Sequence, residues 1–133
     1  MKRKCLIAVL AVYLLILFRI TVFRSGVTQN ELFGGEINLV PIVDWIDTYK
    51  SGIWNFIYLF FGNIVTFVPL GYMIMKLKRM SIGKIAMMGF CVSLAIEILQ
   101  FVFASGISEI NDLILNTLGT FIGGVLAVIW KEE

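Results

Sequence analysis

The amino-acid sequence predicts an all-α membrane protein, a bundle of four transmembrane helices in one domain over residues 1–133. Composition is the first reason: 59% of the residues are hydrophobic and 15% are charged, whereas about a quarter of a soluble domain is charged. The second reason is that four apolar segments reach the length of about 20 residues that a spanning helix needs. The net charge of +2 is too small to indicate a nucleic-acid partner.

The four transmembrane helices are predicted at about residues 5–23, 53–75, 85–103 and 113–130. The first follows a basic start and its apolar run has no small-residue cleavage site, so we expect an uncleaved signal anchor. In the second helix, Pro69 should cause a kink, which neighbouring helices can accommodate. In the fourth, Gly119 and Gly123 are four residues apart, a spacing that lets a neighbouring backbone approach closely.

The basic residues predict the orientation, because Lys and Arg are enriched in cytoplasmic connections. They precede the first helix and crowd the second connection: Lys2, Arg3, Lys4, Lys76, Lys78, Arg79 and Lys84. The first connection, residues 24–52, has more acidic than basic residues, and residues 104–112 have no basic residue. Both termini are therefore predicted to be cytoplasmic, and the first and third connections to lie outside the cell.

The first connection is the only long one. Its segment INLVP, residues 37–41, should be extended, since a residue that precedes proline is pushed away from helical geometry. From Pro41 onward, IVDWIDTYKSGIW mixes apolar residues with acids and a lysine. We expect a short interfacial helix on the outer surface, with Pro41 at its first position and Trp45 and Trp54 at headgroup level.

Polar residues recur at helical spacing within the apolar segments. In the third helix, Ser93, Glu97 and Gln100 share one face. The fourth carries Asp112 and Asn116 on one face, and the second carries Asn63 near its middle. In the predicted orientation these positions lie in the outer half of the membrane, while the inner halves are nearly all apolar. The spacing predicts one outward-facing polar cluster and no pore through the membrane: Asn63, Glu97, Gln100, Asp112 and Asn116.

Three interpretations of this cluster stay open: interhelical packing, a ligand site, and acid–base catalysis by Glu97 and Asp112. Polar side chains within a membrane are costly and mark functional sites. Glu97 should be either protonated or held by the amides of Asn63, Gln100 and Asn116, and the only cations within reach are those of Arg19 and Arg24. The chain has no histidine, and its two cysteines have no metal-like spacing, so we expect neither a metal nor a cofactor.

Four motifs in series resemble one family of small bacterial membrane proteins. They are INLVP at 37–41, GNIVTFVPLG at 62–71, EILQ at 97–100 and NDLILNTLG at 111–119. Together they are similar to the VanZ-like family in order and topology. The residues that carry the resemblance include Asn38, Pro41, Pro69, Gly71 and Gly119. Where the family often has two adjacent acids in the last motif, this chain has Asn111 and Asp112.

The resemblance implies a multi-pass protein of a bacterial cell membrane. The founding member is associated with resistance to the glycopeptide teicoplanin at the cell envelope, and the family supplies no established catalytic residues. We therefore expect a non-enzymatic protein that acts at the outer leaflet on glycopeptide susceptibility. Its expected partners are membrane lipids and either an undecaprenyl-linked wall precursor or a lipophilic glycopeptide. The alternatives are a small transporter, or an intramembrane enzyme that uses Glu97 and Asp112 on a lipid-linked envelope precursor.

Overall fold

The computed structural model describes residues 3–23, 32–41 and 43–130. These residues form five helices and two short strands, in the order α1 Arg3–Val22, β1 Glu36–Asn38, α2 Val43–Ser51, α3 Ile53–Lys78, α4 Ile82–Val102, β2 Ile107–Glu109 and α5 Ile110–Ile129. The prediction of an all-α protein is confirmed, since the strands have three residues each.

Four of the helices, α1, α3, α4 and α5, are long and apolar enough to cross a membrane. They contain 20, 26, 21 and 20 residues, and 20 residues of helix span about 30 Å. This confirms the four predicted helices, although α4 and α5 each begin three residues before the predicted start. The prediction that both termini lie in the cytoplasm stays a prediction.

Helices α3 and α5 run in the same direction and approach each other at glycines. A Cβ atom added at Gly119 would overlap the carbonyl oxygen of Ile64, and one added at Gly123 would overlap that of Val68. From the other helix, a Cβ atom at Gly71 would overlap the α5 main chain. The close approach predicted for Gly119 and Gly123 is therefore confirmed, and its partner is α3. Contact of this kind stabilises helix pairs in lipid, where no hydrophobic force drives association.

A packed apolar core contains residues from all four long helices. Its most buried side chains are at most 1% exposed: Leu17, Val22, Phe67, Leu70, Ile85 and Ile96. Helix α1 is also tied to α3, because the Tyr13 hydroxyl donates to the carbonyl oxygen of Thr66 at 2.5 Å. Pro69 lies inside the continuous helix α3, one turn beyond this carbonyl.

The two strands form a parallel pair at the opposite end of the bundle, which we call the strand end. Asn38 lies opposite Glu109 in this pair. Just before β1, the Gly35 amide donates to the carbonyl oxygen of Phe101 at 3.1 Å, and a Cβ atom at Gly35 would overlap the Phe101 main chain. The extended conformation predicted for INLVP is thus confirmed over its first two residues. The pairing of β1 with β2 was not predicted, and it holds the first connection against the third.

Helix α2 confirms the short helix predicted in the first connection. Pro41 lies outside it, since the helix begins at Val43, so the prediction that Pro41 is the first helical residue is wrong. The helix packs on α3 through aromatic rings: Trp45 meets Phe60 edge to face, with ring centroids 5.2 Å apart. Trp54, at the start of α3, is 79% exposed. The location of α2 at a membrane surface stays a prediction.

Candidate functional site

A cavity of about 280 Å³ opens between the four long helices at the strand end. We call it the polar cleft, and it is lined by all five side chains predicted as a cluster: Asn63, Glu97, Gln100, Asp112 and Asn116. A second cavity of about 260 Å³ shares Asn63, Gln100 and Asp112 with the cleft and extends toward α2 and β2. We call it the α2 chamber. Phe67 and Ile96, which belong to the packed core, also line the cleft, so the core bounds it on the side of the bundle centre.

Asn63 and Asp112 join α3 to α5 at the cleft. The amide nitrogen of Asn63 donates to Asp112 Oδ1 at 2.5 Å. Asp112 lies in the first turn of α5, where a negative charge complements the helix dipole. The contact between Gly119 and the main chain of Ile64 brings α3 and α5 close together at this level. Asn63 directly precedes Ile64, so the same contact brings its side chain near α5.

Glu97 binds the start of α5. Its Oε2 accepts the backbone N–H of Glu109 at 2.9 Å, and its main-chain carbonyl accepts the Ser108 hydroxyl at 2.7 Å. Glu109 directly precedes α5, so the carboxylate lies at a helix N-terminus, which is favourable for a negative group. The sequence left two alternatives for Glu97: protonation, or hydrogen bonds from the amides of Asn63, Gln100 and Asn116. The second alternative is wrong, because those amides donate elsewhere and a backbone amide of the β2–α5 junction donates to Glu97. The first stays a prediction.

Gln100 and Asn116 each use only half of their amide group within the described part of the chain. Gln100 Nε2 donates to the Thr21 carbonyl at 3.2 Å, and Asn116 Nδ2 donates to Ser93 Oγ at 2.9 Å. Gln100 Oε1 and Asn116 Oδ1 are buried and accept no hydrogen bond from the described residues. The side chains are 9% and 4% exposed. A buried acceptor without a donor costs about 1–3 kcal/mol, so both oxygens are available to a donor that enters the cleft.

The charged groups that line the cleft and the α2 chamber are all acidic. No Lys or Arg of the described residues lines either cavity. Arg19, which the sequence offered as a partner for Glu97, is exposed and donates instead to the Phe23 carbonyl at 3.3 Å. Arg24 lies outside the described residues. Within those residues no three His, Cys, Asp or Glu side chains are grouped as metal ligands.

Some residues at the site were missed by sequence reasoning. Ser105 and Glu109 line the α2 chamber, Thr21 lines the cleft, and Ser108 holds the Glu97 main chain. The short polar sequence between the third and fourth apolar segments was a signal for Ser108 and Glu109, but it was interpreted only as a turn. Thr21 had no signal, since its contribution is a main-chain carbonyl.

The five residues that carry the family resemblance have different structural roles. Gly71 and Gly119 pack α3 against α5. Asn38 lies in β1 and accepts the Val40 amide at 3.1 Å, which shapes the turn after the strand. Pro41 and Pro69 are exposed and line neither the cleft nor the α2 chamber.

The family model described as VanZ/LLP1 matches residues 10–131 of the sequence. The chain belongs to the VanZ/LLP1 family. It is 30% identical over 119 residues to Protein VanZ of Enterococcus faecium, an alignment that covers 86% of this chain and 68% of that protein. No solved structure matches the chain. The region shared with the VanZ/LLP1 family contains α3, α4 and α5 and therefore all five side chains that were predicted as a cluster.

Proposed function

We propose that this member of the VanZ/LLP1 family is a non-enzymatic protein of a bacterial cell membrane that binds a lipophilic envelope molecule in its polar cleft. The cleft faces the outside of the cell, both termini are cytoplasmic, and binding changes susceptibility to teicoplanin. The occupant is either an undecaprenyl-linked wall precursor or the glycopeptide itself. The observation that carries the proposal is that all five polar side chains line one cavity with two unpartnered buried acceptors.

Charge distribution supports the outward orientation. The connection between α3 and α4, at the far end from the cleft, is flanked by Lys76, Lys78, Arg79 and Lys84. The connections at the strand end carry few basic residues. Because basic residues are retained in the cytoplasm, the cleft should open toward the outer leaflet.

The hydrogen bonds favour binding over catalysis. A catalytic acid–base pair needs one carboxylate within reach of a substrate proton. Here Glu97 already accepts a main-chain amide at the start of α5, and Asp112 accepts from Asn63. The packed core beside the cleft also favours a closed site over a transport path, since Phe67 and Ile96 are each 1% exposed.

Cysteine labelling in whole cells tests the orientation. In a variant without the native Cys5 and Cys91, a membrane-impermeant maleimide should label Leu39→Cys in intact cells and Lys78→Cys only after lysis. Leu39 is 70% exposed and next to β1, and Lys78 is exposed at the end of α3. Labelling in the reverse pattern would overturn the outward orientation.

Drug susceptibility tests the role of the cleft. Expression should raise the inhibitory concentration of teicoplanin several-fold more than that of vancomycin, and Asn116→Leu should remove the difference. The control is Met87→Leu, since Met87 is 61% exposed on α4 and lines none of the cavities described here. Equal shifts for the two drugs, or full activity of Asn116→Leu at wild-type protein level, would contradict the proposal.

Glu97→Gln separates a binding site from an enzyme. The substitution would abolish the activity of an enzyme that depends on Glu97, whereas a binding site should lose its effect on susceptibility only in part.

A further inference from the structure

A third cavity lies beside the polar cleft, and its walls are apolar. It is a groove of about 210 Å³ between α4, the start of α5 and the β1 strand, with mostly aliphatic walls. Its rim includes Ile37 and Leu39, which are 57% and 70% exposed, and Ile98, which is 54% exposed. We call it the apolar groove. Ile98 belongs to the candidate membrane-spanning helix α4, where a side chain this exposed faces hydrocarbon, so the groove suits an extended alkyl chain that enters beside Ile98.

Two glutamates lie between the apolar groove and the polar cavities. Glu97 lines both the groove and the cleft, and Glu109 lines both the groove and the α2 chamber. An amphiphile that passes Glu97 with its chain in the groove would have its head group beside these side chains. An apolar cavity and a polar cavity therefore lie side by side, separated by Glu97 and Glu109.

The polar half selects a head group by charge and by hydrogen bonding. Its acidic lining residues are Glu97, Glu109 and Asp112, and no Lys or Arg of the described residues lines it. Three buried polar atoms have no partner among the described residues: Gln100 Oε1 and Asn116 Oδ1 are acceptors, and Ser105 Oγ in the α2 chamber can accept or donate. The assignment for Gln100 is fixed by its partner, because the Thr21 carbonyl can only accept a hydrogen bond. A primary ammonium, with one positive charge and three donors, complements acidic groups and bare acceptors, whereas a phosphate has like charge and brings no donors of its own.

We propose that the polar cleft and the apolar groove form one binding site for an amphiphile with a primary amine head group and a single hydrocarbon chain. This inference rests on the proposed function and narrows it, since an envelope molecule recognised through its phosphate would not fit this lining. The amine enters between Glu97 and Asp112 and donates to Gln100 Oε1 and Asn116 Oδ1. The chain leaves past Glu97 into the groove.

Binding of three matched probes to the full-length protein in lipid nanodiscs tests this site. The probes are a photoactivatable primary alkylamine, and the alkyl alcohol and alkyl phosphate of the same chain. We expect crosslinks of the amine to map to α4 and α5, excess amine without the photoreactive group to abolish them, and the phosphate to compete at least about tenfold more weakly. Equal competition by the alcohol would show that charge is not recognised. Stronger competition by the phosphate would overturn the proposal.

Variants at each half of the site provide the second test. Glu97→Gln and Asp112→Asn keep a carbonyl oxygen for their present donors, so both should fold and should each weaken amine binding by about tenfold. Ile98→Trp should fill the groove and weaken binding without a change of charge. Its control is Val65→Trp, at an exposed position of α3 that lines none of the three cavities. Unchanged affinity in Ile98→Trp would refute the groove even if the carboxylate variants failed to fold.

The outcomes separate this inference from the proposed function. Amine binding without any effect of the cleft on teicoplanin susceptibility would contradict the function and retain the site. Susceptibility that depends on Asn116, together with no selective amine crosslink, would retain the function and refute the amine site.

Discussion

Substitution of Gly71 by alanine should destabilise the bundle, because this glycine touches the main chain of α5. An added Cβ atom would overlap the carbonyl oxygen of Thr120, and it would lie 2.7 Å from the carbonyl carbon of Thr120 and 2.9 Å from the amide nitrogen of Gly124. Carbon atoms in contact prefer about 3.5–4.0 Å, so the two helices must separate by at least ~1 Å at this point. No side-chain rotation can relieve the overlap, since both groups belong to the backbone.

The size of the effect follows from two opposing contributions. Overpacking costs about 1–3 kcal/mol, and alanine in place of glycine gains about 0.8–1.0 kcal/mol of helix propensity. We therefore expect a net loss of about 0–2 kcal/mol in the free energy of unfolding, and a loss of about 1–3 kcal/mol relative to an alanine substitution that makes no overlap. Reversible unfolding in mixed micelles, followed by circular dichroism, measures this quantity.

Gly83→Ala is the matched control for Gly71→Ala. Gly83 lies in the first turn of α4, and a Cβ atom there would have no neighbour within 4 Å. Alanine at this position should leave stability unchanged or raise it by up to about 1 kcal/mol. If Gly71→Ala were as stable as Gly83→Ala, the close contact between α3 and α5 would be refuted.

Three further substitutions test single contacts. Ser93→Ala removes the acceptor for the Asn116 amide and should cost about 0.6–2 kcal/mol in the same unfolding assay; no loss would mean that this bond does not hold α4 to α5. Tyr13→Phe removes the hydroxyl that donates to Thr66 and should cost about 0.6–1.5 kcal/mol, and an unchanged value would argue against contact of α1 with α3 at this level. Gly35→Ala would overlap the α4 main chain, so amide hydrogen exchange in β1 should become faster, while unchanged exchange would contradict the parallel pair.

Most of the fold was predictable from the sequence because the membrane imposes strong local rules. A spanning helix must satisfy its own backbone groups over about 20 apolar residues, and each long helix meets this requirement. The starts of α4 and α5 were predicted too late because both helices continue into polar residues, Gly83 and Lys84 in one case and Asn111 and Asp112 in the other. A helix can extend beyond its apolar segment, because its backbone hydrogen bonds do not depend on the hydropathy of the side chains.

The cluster of five side chains around the polar cleft follows from helical spacing, which places Glu97 and Gln100 on one face and Asp112 and Asn116 on another. The partners of these side chains did not follow. Helical spacing predicts the face and the depth of a side chain, but not the backbone group that it will bind. The only donors considered for Glu97 were therefore side-chain amides, and the Glu109 amide was missed. The apolar groove was also beyond prediction, because it depends on the pairing of two segments far apart in the chain.

The parallel pairing of β1 with β2 sets an order for biogenesis. The paired residues, Glu36 and Ile107 among them, are about 70 positions apart in the sequence. At a synthesis rate of about 5–20 residues per second, β1 waits roughly 4–14 s for its partner to emerge. During this interval its peptide groups remain open to another strand. A chain interrupted after α4 would keep that edge exposed, so quality-control proteases could distinguish an incomplete bundle from a finished one.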